Sequence, residues 1–156
     1  LLQADSRMEN DPRVSRIRAN MSDRDIVLSE ETVEDSLQAL LAKNPRNKMA
    51  FEWLLAHYLS VASPDKVVEN LPRLKDLAYA RVPRHYQEAL VMQAEAAGCP
   101  VAQFGWPIDA EVVRRAQEYR RICADAADPR EASKAAWAAG LSDSFFFFAT
   151  YGVSGR

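Results

Sequence analysis

His57 and His85 are the only histidines in the chain, and His85 stands three residues before Glu88, which puts an imidazole and a carboxylate on one helical face. Such a pair can contribute to a metal site or move a proton, yet either chemistry needs further groups. No third or fourth metal ligand is indicated beside them. His57 falls on a nearly all-apolar stretch and reads as a hydrogen-bonded core or interface histidine. Cys99 and Cys123 show no zinc-ligand spacing and read as unpaired, partly buried thiols, with a single bridge between them left open. Nucleophile elbows, phosphate-cradling glycine loops and HExxH pairs do not occur. No catalytic residue, metal site or cofactor is expected, and the balance leans against an enzyme.

Charge offers a second kind of chemistry. Arg73, Lys75, Arg81, Arg84 and His85 gather around one helix-turn-helix junction, either as solvated residues near helix ends or as a site for an anion or carboxylate. Arg114, Arg115, Arg120 and Arg121 follow on a later helix, where Glu111 and Arg115 form a favourable i,i+4 pair. A formal net charge of −2 argues against a nucleic-acid binder held by bulk electrostatics. The acidic pairs Glu30–Glu31 and Glu34–Asp35 sit in the first turns of a helix, where they complement its dipole. Phe145, Phe146, Phe147 and Phe148 are consecutive, and on a helix four such rings point in every direction. They form either a closing helix sunk into its neighbours or an aromatic patch for a partner or a second copy.

The elements that position these residues are helices. With 48% hydrophobic and 27% charged residues the chain suits one folded domain that needs no disulfide or metal staple. Eight prolines stand mostly at segment starts, and no Asn-Gly or Asp-Gly hairpin turn occurs, so the fold class is all-α. A first helix is expected over Pro12 to Met21 on the spacing of Val14, Ile17 and Met21, within an N-terminal extension over 1–28. A single helical domain should span 29–152, followed by a tail over 153–156. Ser29 or its neighbour opens its first helix, with Val33, Leu37, Leu40 and Leu41 on one face. Asn44 and Pro45 provide cap and first turn for the next, whose apolar residues from Met49 to Val61 cover nearly the whole circumference and predict a central, buried helix.

Ser63-Pro64-Asp65 starts another helix, which Pro72 should bend or split. Pro83 starts the one ended by Gly98, and a proline-flanked loop over 99–107 carries Phe104 and Trp106. Asp109 caps a helix to about Ala126, and Asp128-Pro129 starts one rich in alanine that ends at Gly140, where Trp137 suggests close packing. Ser142 is placed to cap a last short helix. The helices are expected to pair as hairpins, 30–43 with 45–61, 64–78 with 83–97, and 109–126 with 129–139, giving a short solenoid or irregular bundle.

With Lys48 as the first position of a unit, Phe51, Leu54, Tyr58, Val67, Leu71 and Leu74 stand where tetratricopeptide repeats carry their consensus residues, and this stretch resembles that family. Pro83 starts a second register about 35 residues on, against a repeat period of about 34. The resemblance implies stacked antiparallel hairpins in a right-handed array with a concave face for a peptide. Leu55 stands where the consensus wants a small residue. Glu52 and Ala56 occupy positions where carboxylate-clamping members carry lysine and asparagine, which argues against a terminal-carboxylate clamp.

The strings NPRNKMAFEWLLAHYL, ENLPRLKDL and VPRHYQEAL, with the aromatic-rich close, are also similar to an uncharacterised bacterial family carrying a soluble helical tail, sometimes behind membrane spans. That resemblance implies a fold and a cell-envelope location and transfers no catalytic residue. The chain has no stretch that spans a bilayer, and its start at Leu1 reads as that of a processed or trimmed piece. The function expected is a non-catalytic module for protein interaction or assembly that binds a protein or peptide on a groove lined by Glu52, Arg84 and Gln87. Two alternatives stay open: a ligand-binding or enzymatic domain with a pocket near Trp106, Tyr119 and His57, and a structural tail of a larger membrane-associated protein.

Overall fold

The computed structural model describes residues 11–20 and 32–152, and among these every regular element is a helix. The expected opening of the second helix at Ser29 to Glu31, with its acidic pair, lies outside the described residues, as do most of the N-terminal extension and the tail. The chain divides into two compact units, Leu1–His57 and Tyr58–Arg156.

The first unit holds α1 (Pro12–Asn20), α2 (Thr32–Lys43) and most of α3 (Lys48–Ser60). α3 begins one turn later than the Asn44-Pro45 signal suggests. Asn47 is the buried residue at its start, and its Oδ1 accepts a hydrogen bond from the Ala50 amide at 3.2 Å. Asn44 instead closes a turn, accepting from the Arg46 amide at 3.1 Å. Both asparagines can cap; the one whose amide becomes buried takes the role. Across this junction the backbone keeps helix-like hydrogen bonds, from the Asn44 amide to Leu40 and from the Phe51 amide to Asn47. On α3, Ala50, Phe51, Leu54, Leu55 and Tyr58 are buried, but Trp53 is 66% exposed and Met49 is exposed as well. The all-round apolar pattern therefore overstated the burial of this helix.

The second unit opens with the end of α3, where Ala62 takes a left-handed conformation with φ 51° and the Ser63 amide bonds back to the Tyr58 carbonyl at 2.9 Å. α4 (Pro64–Asn70) passes at Leu71 into a 3-10 turn over Leu71–Leu74, the split that Pro72 predicts. α5 (Arg84–Ala96) packs on α4 as the expected hairpin and also meets the later elements. α6 (Ala110–Asp125) packs on α7 (Pro129–Ala138), the third expected hairpin. α5 and α7 end as Gly98 and Gly140 predict, both with positive φ, with returning bonds from the Cys99 amide to Ala94 and from the Leu141 amide to Ala136. Asp128 caps α7 by accepting from the Glu131 amide at 2.8 Å, and Glu131 reaches back to the Ala127 amide at 2.9 Å.

A single turn, α8 (Phe145–Phe147), and a wide turn over Phe148–Gly152 close this unit. Ser144 caps α8, taking the role expected of Ser142: its Oγ accepts from the Phe147 amide at 3.2 Å and donates to the Leu141 carbonyl at 2.6 Å. The four phenylalanines divide. Phe145 and Phe146 are buried, Phe147 is half-buried and Phe148 is 37% exposed. Phe146 joins Val91, Val112, Ala116, Tyr119, Ala136 and Leu141 in one apolar core drawn from α5, α6, α7 and the closing segment. Trp137 stays 66% exposed, an outcome that alanine-rich α7 did not suggest, with its ring edge-on to Phe147 at 6.0 Å.

Capping by Asn47 rather than Asn44 is directly measurable. Asn47→Ala should lower the unfolding free energy by about 1 kcal/mol in urea denaturation, and Asn44→Ala should change it by less than about half as much; a larger loss at Asn44 would reverse the assignment.

Candidate functional site

Polar residues crowd the first turns of α5, the helix that packs on α4, α6 and α8. Pro83 precedes it, and Arg84, His85, Gln87 and Glu88 follow within little more than one turn. Glu88 is 0% exposed. A carboxylate so placed is tolerated only with donors around it. Its Oε2 accepts from the Phe145 amide at 2.8 Å and faces His85 Nδ1 at 3.0 Å, and its Oε1 lies 3.5 Å from Arg84 Nε. The helical spacing of Arg84, His85 and Glu88 brings the guanidinium and the imidazole to the carboxylate from its own helix. The Phe145 amide comes from a segment 57 residues away.

Arg84 links this group to a second one. Its guanidinium donates to the Asp143 carbonyl at 2.9 Å and to Asp143 Oδ2 at 3.0 Å, and Arg115 of α6 donates to the other carboxylate oxygen. Burial alone would raise the pKa of Asp143, but the hydrogen bonds from Arg84 and Arg115 outweigh it, so the carboxyl stays ionised below the usual aspartate value of 3.8. Gln87, expected on the groove, is 2% exposed and works from beneath it. Its amide nitrogen donates to the Val82 carbonyl at 2.8 Å and to Asp109 Oδ2 at 2.9 Å, while its oxygen accepts from the Asp109 amide at 2.7 Å. Asp109 thus starts α6 as its sequence suggests, but its side chain bonds Gln87 and makes no cap hydrogen bond. Glu52, in the first unit, is exposed and ion-paired to Lys48 at 3.8 Å along α3.

Three depressions in the second unit surround these groups. One of about 540 Å³ is bounded by Arg81, Val82 and Arg84 on one side and by Asp109, Glu111 and Val112 on the other. A smaller one of about 150 Å³ lies beyond the same 79–82 turn, with Lys75, Trp106 and Pro107 in its wall. Lys75 Nζ stands 5.4 Å from the Trp106 ring centroid. A third, of about 320 Å³, has Leu59, His85, Asp143, Phe145 and Phe148 in its lining. Trp106 lines the depression of about 150 Å³, and Tyr119 lines another, of about 300 Å³, with Met92 and Phe146.

His85 faces Glu88 through Nδ1, and Ser144 serves as the cap of α8. Among the described residues no group of three or more His, Cys, Asp or Glu side chains is arranged to hold a metal ion. Cys99 and Cys123 are both free thiols. The arrangement is a self-neutralising latch: two carboxylates, two guanidiniums and one imidazole that fasten α5, α6 and the closing segment. Sequence spacing exposed the α5 half of it. Asp143 and the Phe145 amide carried no local signal, since their partners lie far along the chain.

The family described as "Family of unknown function (DUF6057)" matches residues 1–152. The chain belongs to this family. No curated protein and no solved structure matches it significantly. Membership in DUF6057 agrees with the resemblance to a family without assigned activity, and it brings no substrate or partner to the latch or to the depressions beside it. No helix among the described residues is long and apolar enough to cross a membrane.

Glu88→Ala should destabilise the chain by about 2 kcal/mol, because it strands the buried Phe145 amide; Glu88→Gln, which keeps an acceptor, should recover at least half of that loss in urea denaturation. Asp143 has a depressed pKa, so its contribution is complete above the unfolded value near 3.8 and is lost as pH falls through the folded one. Asp143→Asn should therefore flatten the fall of melting temperature between neutral and strongly acidic pH, and an unchanged acid profile would contradict the pairing.

Proposed function

We propose that this domain is a non-catalytic module for protein interaction or assembly, a tetratricopeptide-like stack of hairpins that takes an acidic, extended segment of a partner along the 79–84 surface. The close packing of α4 on α5 and of α6 on α7 supports the stack. The starts of α3 and α5, at Lys48 and Arg84, are about one repeat length apart, whereas α6 starts at Ala110, well short of the next, so the array is irregular.

The observation that carries the reading is Arg81. It is exposed, makes no ion pair or side-chain hydrogen bond among the described residues, and stands in the wall shared by two neighbouring depressions. Around it the other charges are largely spent: Arg84 on Asp143 and Glu88, and Glu111 on Arg114 at 2.6 Å. Arg81 and Lys75 are left to face solvent beside Tyr79, Trp106 and Pro107, a combination that suits carboxylates interleaved with apolar side chains. Arg84 holds one edge of the larger depression and Gln87 fixes Asp109 in its wall, so two of the three residues of the expected groove border this surface. Glu52 lies in the other unit and carries no weight here.

Fluorescence anisotropy with a labelled peptide alternating glutamate and leucine tests the reading. Saturable binding that weakens with added salt, drops at least about tenfold in Arg81→Glu and leaves the melting temperature within about two degrees is expected. Equal affinity for a lysine–leucine peptide, preference for single-stranded RNA, or no change in Arg81→Glu would reject it.

A further inference from the structure

The depression of about 320 Å³ beside the closing segment lies within the second unit and shares no lining residue with the two that meet at Arg81. Leu59, Phe145 and Phe148 give it an apolar lining, and Phe148 is 37% exposed. His85 stands in the same lining with its side chain 49% exposed, so a molecule entering from solvent can reach the imidazole. Nδ1 of this ring faces Glu88 Oε2 at 3.0 Å, and the same oxygen accepts from the Phe145 amide at 2.8 Å. A carboxylate oxygen only accepts, so the imidazole proton belongs on Nδ1. A neutral imidazole has one N–H and one lone pair, which makes Nε2 an acceptor. Among the described residues it has no donor.

We propose that this depression binds a small neutral aromatic molecule bearing a hydroxyl group, its ring against Leu59, Phe145 and Phe148 and its hydroxyl donating to His85 Nε2. Three features choose this class. The apolar lining favours a ring over a polar chain. Glu88 fixes the tautomer of His85, so the ligand must bring the hydrogen. Asp143, the carboxylate in the lining, is already held by Arg84 and Arg115 and leaves little to attract a cation, while an anion would meet that carboxylate and the Nε2 lone pair. The volume sits at the low end of the roughly 300–1,000 Å³ typical of small-molecule pockets, which suits a single ring with a short substituent.

The test uses the full chain and the probes phenol, toluene and anisole, titrated by NMR at about pH 8, where an ordinary imidazole and a phenol are both neutral. Phenol should shift the amides of Leu59, His85 and Phe148 saturably and bind about fivefold or more tightly than toluene or anisole, since anisole keeps the oxygen but has no hydrogen to donate. Long-range proton–nitrogen spectra should place the His85 proton on Nδ1. In His85→Phe the preference for phenol should fall to within about twofold while toluene still binds. Equal affinity for anisole and phenol, a proton on Nε2 instead of Nδ1, no saturable shift with any probe, or a preference that survives His85→Phe overturns the proposal. The first three outcomes need no substitution, so the test holds if that variant fails to fold. The probes carry no charge and their site lies apart from Arg81, so these outcomes are independent of whether an acidic peptide binds there.

Discussion

The carboxylate of Glu88, buried on α5, is the constraint around which the second unit is arranged. A charge at 0% exposure needs donors or counter-charges beside it; Oε2 has two polar neighbours, while Oε1 makes no hydrogen bond and has the Arg84 guanidinium 3.5 Å away. Its own helix supplies Arg84 and His85, and the closing segment supplies the Phe145 amide. Because Arg84 also grips Asp143, and Asp143 grips Arg115, the compensation runs on to α6. Apolar burial gives this unit most of its cohesion, since the shared core takes side chains from α5, α6, α7 and the closing segment. The polar chain decides where along α5 that segment docks, which greasy contacts alone leave loosely specified.

That docking explains how four consecutive phenylalanines are accommodated. With the Phe145 amide held by Glu88 and the Phe147 amide held by Ser144, the turn presents Phe145 and Phe146 inward and leaves Phe147 and Phe148 at the surface. Phe146 then stacks on Tyr119, while Phe147 meets Trp137 and Tyr151. The run is thus neither wholly sunk nor wholly an exposed patch. The same docking places Phe146 beside Met92, Ala116 and Tyr119 in the lining of a cavity of about 300 Å³, so one polar constraint shapes both the closing turn and the space beside it.

Much of this fold could be read locally. The starts at Pro64 and Pro129, the ends at Gly98 and Gly140, and the break at Pro72 are each fixed by interactions within a few residues, and the structure places them where the sequence does, with α5 starting one residue after the expected Pro83. What was misread depends on distant neighbours. Asn44 and Asn47 are equal as caps until burial chooses between them, and the apolar circumference of α3 says nothing about which side meets solvent, hence the exposed Trp53. Gln87 reads as a surface residue until Asp109 and Val82 enclose its amide. The latch was half visible, because Arg84, His85 and Glu88 share a helical face, whereas Asp143 comes from a loop and pairs across 59 residues with no periodic signature.

Amide hydrogen exchange at Phe145 examines the Glu88 anchor without altering a residue. If the buried carboxylate holds the closing segment on α5, the Phe145 amide should be protected to nearly the same free energy as the amides of Leu90 and Val91 in the middle of α5, and should be lost only with them as denaturant is added. Exchange of Phe145 at the rate of an open loop, while Leu90 and Val91 stay protected, would show that the segment docks by its aromatic rings alone and that Glu88 is not the constraint on which the unit depends.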